Sequence, residues 1–183
     1  MDYYIEIKIN PDAEMRENEL LNKVYSKFHK ALFELKSQNI GVSFPDYHIK
    51  FGQRIRIHGE QKILEAFQKN NWLGGLIGYC EILEIQAIPD QVDYRILSRT
   101  RSKMTASRLK RLIERKSIKQ DEIRAYKAKM FSESLTEPYL ELQSTSTKQL
   151  YRRYIHFSEI IKEAKKGKFD EFGLSKIATI PWF

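Results

Sequence analysis

Proton transfer near neutral pH needs a side chain that titrates there, and this 183-residue chain has four histidines: His29, His48, His58 and His156. None of them stands at a recognised zinc spacing from another histidine, a cysteine or an acid, so the sequence supports neither a metal site nor another cofactor. Phosphate-cradling GxxxxGK[ST] loops and the GxSxG nucleophile elbow are missing as well. His29 lies beside the apolar stripe of a helical segment, with Tyr25 and Phe33 one turn away on either side. A histidine so placed more often packs with a satisfied hydrogen bond than reacts. Far along the chain Ser144, Thr145, Ser146 and Thr147 form a row of hydroxyls close to Tyr151. As structure, that row is a polar hairpin turn. As chemistry, it is a set of hydrogen-bonding groups beside an aromatic ring on which a base can stack.

A second feature says which partner would give these residues work. Between Arg99 and Lys119 lie nine basic residues and one acid, Glu114, a surplus equal to the +8 net charge of the whole chain. A concentrated basic patch is the footprint of a polyanion, and nucleic acid is the first candidate. RNA brings its own nucleophile, the ribose 2′-OH. An enzyme need only align that hydroxyl and move a proton, which histidine does well without a metal. His29 as the proton carrier and Ser144 as a ribose holder would suit those roles if the fold brought them together.

The elements that must position these residues follow from periodicity. Tyr3, Ile5, Ile7 and Ile9 alternate with Tyr4, Glu6 and Lys8, which predicts a half-buried strand. Leu21, Val24, Phe28, Leu32 and Leu35 recur at helical spacing from about Met15 to Gln38. A short strand is expected in IGVSF, and another at 54–58 with Ile55 and Ile57 inward. A second helix is expected around Ile63, Leu64 and Phe67, then an apolar strand containing Ile82, Ile85 and Ile88. That order, βαββαβ, is the ferredoxin-like arrangement. Beyond it, Asp93 to Ser98 reads as a strand, and Thr105 as the N-cap of a basic helix. That helix carries Leu109, Leu112 and Ile113 on one stripe and Arg108, Arg111 and Arg115 on another face. Ser117 and Gln120 have capping-box spacing for a further helix to about Phe131. Tyr139–Leu142 and Leu150–Ile155 predict two strands of a hairpin, and the apolar tail is expected to pack.

Residues 1–90 carry a net charge of −2 and residues 91–183 a net charge of +10. The step, next to Pro89-Asp90, divides the chain into a 1–90 ferredoxin-like domain holding His29 and a 91–183 RNA-binding domain. The expected class is α+β. Hydrophobic residues make up 42% of the chain and aromatic ones 12%, which argues for a folded protein. The single cysteine, Cys80, suits a reducing cytoplasm. The start has no signal-peptide pattern and no apolar run approaches a membrane span, so no membrane partner is expected. A basic helix with so thin an apolar stripe is also unlike an interfacial helix.

Several pieces together carry a resemblance: MDYYIEI, KFHKAL around His29, IGVSFPD, FGQRIRIH, YRILSRTR, SRLKRLIERK, LQSTSTKQLYRRYI and the terminal GLSK…PWF. In order and over nearly the full length, the chain resembles the CRISPR repeat-processing endoribonucleases of subtype I-F. The resemblance implies cleavage of repeat RNA at the 3′ base of a stem-loop, without metal, leaving a 2′,3′-cyclic phosphate. It implies His29 as general base and Ser144 as the residue orienting the ribose. Arg99 falls at the position that reads a guanine at the stem foot, with Arg101 beside it. Lys103, Arg108, Lys110, Arg111, Arg115 and Lys116 fall on the segment that lies along the RNA. Ser146, Thr147 and Gln149 join the RNA contacts from the hairpin, and Tyr151 stands where a phenylalanine usually stacks on the guanine beside the cut. The mature crRNA is expected to stay bound, making the protein a subunit of a type I-F surveillance complex.

Three departures stand out. Phe172 replaces the tyrosine found before GLS in better-known members, Arg101 replaces a glutamine, and Leu112 replaces an arginine of the helix. Loss of the tyrosine hydroxyl keeps an alternative open, a non-catalytic RNA-binding subunit of a ribonucleoprotein.

Overall fold

The computed structural model describes residues 1–101, 105–132, 135–144 and 147–183, the side chains of Phe131 and Ser132 excepted. Lys103, Thr145 and Ser146 therefore lie outside the described residues. The fold is mixed α/β with antiparallel sheets. It opens with β1 (Tyr3–Ile9), α1 (Glu17–Leu35), β2 (Gly41–Ser43), β3 (Arg54–Gly59) and α2 (Gln61–Lys69). A 3₁₀ turn at Gly74–Tyr79 leads to β4 (Cys80–Ile82) and β5 (Gln86–Ala87). The order β2-β3-β1-β4 makes one sheet, with β5 also pairing with β1. Its central register matches Ile5 to Ile57 and Ile7 to Ile55, so alternating isoleucines project together onto α1 and α2.

Two expectations change here. The apolar strand expected around Ile82, Ile85 and Ile88 is two short strands, and Ile82 and Leu83 are exposed. β3 is buried on both faces, because Arg56 and His58 also lie under cover. The cover is the C-terminal residue: Phe183 stacks its ring under the Arg56 guanidinium, and the Phe183 carbonyl accepts a hydrogen bond from Arg56.

Next come β6 (Asp93–Arg95), β7 (Leu97–Thr100), α3 (Ala106–Glu114), α4 (Gln120–Ser132), β8 (Tyr139–Gln143), β9 (Leu150–Phe157) and β10 (Ile180–Trp182). The single strand expected at 93–98 splits, because β6 pairs with β10 while β7 joins β9 and β8 in a separate sheet. Two compact units result, Met1–Arg99 with Pro138–Phe183, and Thr100–Glu137. The hairpin β8–β9 and the tail thus share a core with the first sheet. Leu140, Leu142, Ile155, Phe157, Leu174 and Ile180 pack in one cluster with Ile5, Val24, Phe28 and Ile57. The charge step at residue 90 and the boundaries of these units do not coincide.

In the unit Thr100–Glu137, the Thr105 hydroxyl accepts the Arg108 backbone N–H at 3.2 Å, the cap expected from its position. The box expected from Ser117 and Gln120 is drawn differently. The Ser117 hydroxyl donates back to the Leu112 carbonyl, and the Lys119 N–H donates to the Glu122 carboxylate at 2.7 Å. Glutamate wins this place because its charge also complements the positive end of α4.

Candidate active site

His29 sits on α1 one turn beyond Tyr25, and the two side chains reach the same loop. The loop is the tight turn Asp170–Leu174. Its Asp170 carboxylate accepts the N–H groups of Phe172 at 2.9 Å and Leu174 at 3.0 Å, and Gly173 turns the chain with a φ of +68°. Only glycine takes that backbone at no cost, and a Cβ there would press on Phe28 at 3.0 Å. Two successive carbonyls then face α1. The fully buried Tyr25 hydroxyl donates to the Phe172 carbonyl at 2.7 Å. One residue earlier, the Glu171 carbonyl lies 2.8 Å from His29 Nδ1.

That contact settles the tautomer. A carbonyl oxygen only accepts, so Nδ1 carries the proton and, in the neutral ring, Nε2 keeps a lone pair. Phe172 fixes the ring plane: the imidazole lies 3.6 Å from its centroid and 13° from parallel. Burial lowers the His29 pKa below its ordinary 6.5, opposed by the Glu171 hydrogen bond and reinforced by the Arg153 charge. An oriented, half-buried, neutral imidazole is what a general base requires. With phenylalanine at position 172, a backbone carbonyl and a stacked ring orient the imidazole.

Arg153 was not singled out from the sequence. It projects from β9 beneath Phe172, its guanidinium carbon 3.2 Å from the ring centroid. The signal was present: Tyr151, Arg153, Ile155 and Phe157 share the inward face of β9, and an arginine among inward residues is out of place.

Ser144 follows β8 at the hairpin turn, where its N–H donates to the Gln149 carbonyl at 2.9 Å and its hydroxyl accepts the Thr147 N–H at 3.2 Å. Asn22 on α1 accepts the Glu141 N–H at 3.1 Å, tying β8 to the helix that carries His29. Among the described contacts none joins His29 to Ser144 directly; they stand on adjoining elements of one unit. Thr147 and Gln149 are exposed in the same turn, and Tyr151 is half-buried against the core. Arg99, on β7, lines a cleft of about 450 Å³ with Arg153, Phe172 and Glu171.

The remaining predicted contacts lie in the other unit. Arg101, Arg108, Lys110, Arg111, Arg115 and Lys116 are all exposed. Leu109 is buried and, with Ile113, lines an apolar groove shared with Met130 of α4, so the helix docks by its thin stripe. Lys110 and Glu114 pair at 3.9 Å, a surface contact that leaves the basic face intact.

Known proteins resemble the chain over its full length. The sequence matches the family of CRISPR-associated proteins called Cas_Csy4 over residues 4–183. A curated relative from Escherichia coli (strain UTI89 / UPEC), named CRISPR-associated endonuclease Cas6/Csy4, is 35% identical over 184 residues, with 100% of both chains covered. Another of the same name, from Pseudomonas aeruginosa (strain UCBPP-PA14), is 34% identical over 187 residues, again with full coverage of both. A solved chain described as CRISPR endoribonuclease Cse3 bound to a 19-nt RNA aligns over 99% of this chain and 100% of its own, at 10% identity. Its TM-score of 0.36 is too low to bear on the fold. The resemblance drawn from the motifs is thereby established: the chain belongs to the Cas_Csy4 family of CRISPR-associated proteins.

Proposed function

We propose that this protein is a metal-independent endoribonuclease that binds the stem-loop of CRISPR repeat RNA and cuts at its 3′ base. The observation that carries the reading is His29 Nδ1 at 2.8 Å from the Glu171 carbonyl, which leaves Nε2 as a base. In the proposed reaction Nε2 takes the proton of the ribose 2′-OH. The 2′ oxygen bonds to the adjacent phosphorus, the bond to the 5′ oxygen breaks, and that oxygen leaves with a proton. The products are a 2′,3′-cyclic phosphate and a 5′-hydroxyl. Ser144 holds the ribose, Tyr151 stacks on the base beside the cut, and Arg99 and Arg101 read the foot of the stem. Lys103, Arg108, Lys110, Arg111, Arg115 and Lys116 neutralise backbone phosphates, joined by Ser146, Thr147 and Gln149 from the hairpin.

Residues 1–90 then supply the ferredoxin-like part with the catalytic histidine, a reading supported by the strand order β2-β3-β1-β4. Residues 91–183 supply the RNA contacts. The mature crRNA stays bound, in the cytoplasm, within a type I-F surveillance complex. The test is incubation with the cognate repeat RNA in EDTA. Wild-type protein should cut and His29→Ala should bind but not cut. A 2′-deoxy nucleotide before the cut should block the reaction while leaving binding intact. Undiminished cutting by His29→Ala, or cutting of the deoxy substrate, removes the mechanism. Binding of the repeat without cutting by the wild type would instead favour a non-catalytic RNA-binding subunit.

A further inference from the structure

Arg153 is a buried cation that no carboxylate among the described residues pairs with. Its residue is only 4% exposed, and its Nε has no hydrogen-bond acceptor among the described residues. A charge taken out of water is destabilising unless something pairs with it. Asp170 accepts the N–H groups of Phe172 and Leu174 at Oδ1, and among the described residues no carboxylate forms an ion pair with Arg153.

The surroundings indicate what would. At 3.2 Å from the Phe172 centroid the guanidinium must lie flat on the ring, which leaves its N–H edge directed sideways. His29 is stacked at 3.6 Å on the same ring, and two groups so close to one centroid must occupy opposite faces. Arg153 also lines the cleft of about 450 Å³, together with Arg99 and Lys36. Asp170 and Glu171 line it too, so the cleft holds three cations and two acids. A planar, always-charged fork in its wall matches the paired oxygens of a phosphodiester better than any neutral ligand.

We propose that Arg153 binds a non-bridging phosphate oxygen of the RNA strand in this cleft, on the face of Phe172 opposite His29. The assignment rests on the RNA reading above and adds a phosphate subsite to it. Substrate thus supplies a counter-charge that no described carboxylate provides. Phe172 separates the base from the cation, so that the phosphate and the 2′-OH are held by different groups.

The test uses the full chain and repeat RNA made non-cleavable by a 2′-deoxy nucleotide before the cut. Arg153→Met should weaken binding about 10- to 100-fold, the usual worth of a charged hydrogen bond. Its log-affinity against log-salt slope should fall by about 0.7, one phosphate's share. A methylphosphonate walked along the phosphates around the cut should reproduce that loss at one position in the wild type and add nothing there in Arg153→Met. Arg153→Lys should keep the slope and recover part of the affinity. Melting of free Arg153→Met should be at or above the wild type, since a buried unpaired charge has gone. Wild-type affinity and slope in Arg153→Met, a lowered melting temperature with unchanged binding, or no sensitive position in the wild-type walk would each overturn the subsite. Failure of the wild type to bind the repeat at all would instead overturn the RNA reading from which it is built.

Discussion

His29 shows how neighbours set the orientation and proton affinity of a side chain. Nδ1 is committed to a carbonyl, one ring face to Phe172, and burial holds the pKa below 6.5. A lowered histidine pKa keeps the base unprotonated further into the acid range. The acidic limb of the single-turnover cleavage rate should therefore have its midpoint below pH 6.5, and a midpoint above that value would contradict the assigned environment. Tyr25 offers a second test. Tyr25→Phe strands the buried Phe172 carbonyl, at a cost of about 1–3 kcal/mol. Because the next carbonyl back in the chain positions His29, cleavage should slow more than RNA binding weakens, as measured on the same preparation. His29 was visible in the sequence as a candidate, yet packing and catalysis looked alike there. What the structure adds is a partner 142 residues away along the chain, which fixes the ring nitrogen that carries the proton.

At the scale of elements, the turn Asp170–Leu174 does the positioning, and its geometry depends on Gly173 in the left-handed region. Gly173→Ala should cost roughly 1–2 kcal/mol from the backbone alone, with more from the contact with Phe28. Denaturant midpoints would measure that loss, and cleavage should fall with it because Glu171 and Phe172 shift. The GLS motif is plain in the sequence, but nothing in its spacing says that the residue before it stacks against a histidine. Helix caps were easier to read. Thr105→Ala should destabilise α3 by about 1 kcal/mol, seen as faster amide exchange in its first turn, with the rest of the chain unaffected. The second cap lies two residues beyond the expected box, since the Ser117 hydroxyl donates to a carbonyl behind it and the Glu122 carboxylate reaches back to the Lys119 N–H.

For the whole molecule, charge dominates. RNA affinity should fall steeply with salt, each neutralised phosphate contributing about −0.7 to −0.9 to the log–log slope, and a flat response would exclude phosphate contacts from α3. Stability should depend on pH through His58. It is fully buried against Ser43, and burial, then the Arg56 charge, lowers its pKa from 6.5 to about 3. The unfolded chain binds this proton below pH 6.5 and the folded one does not until about pH 3. Stability is therefore complete above 6.5 and lost as pH falls between those values, by about 1.4 kcal/mol per unit. Urea midpoints from pH 7 to 4 should show this loss in the wild type and a shallower one in His58→Gln. His29 adds a loss of the same sign.

Local order was legible in the amino-acid sequence because periodicity and caps act over a few residues. The alternation in β1 and β3, the apolar stripe of α1, the cap at Thr105 and the basic surplus at 99–119 needed no tertiary information. Family membership was legible too, since motif order survives where single motifs mislead. The core that joins the hairpin to the first sheet was not, because such packing pairs residues more than a hundred positions apart and leaves no periodic trace. Nor was the Arg153–Phe172–His29 stack. Each of its members obeys an ordinary local pattern, and only the closing of α1, β9 and the 170–174 turn on one another brings an imidazole, a ring and a guanidinium into register.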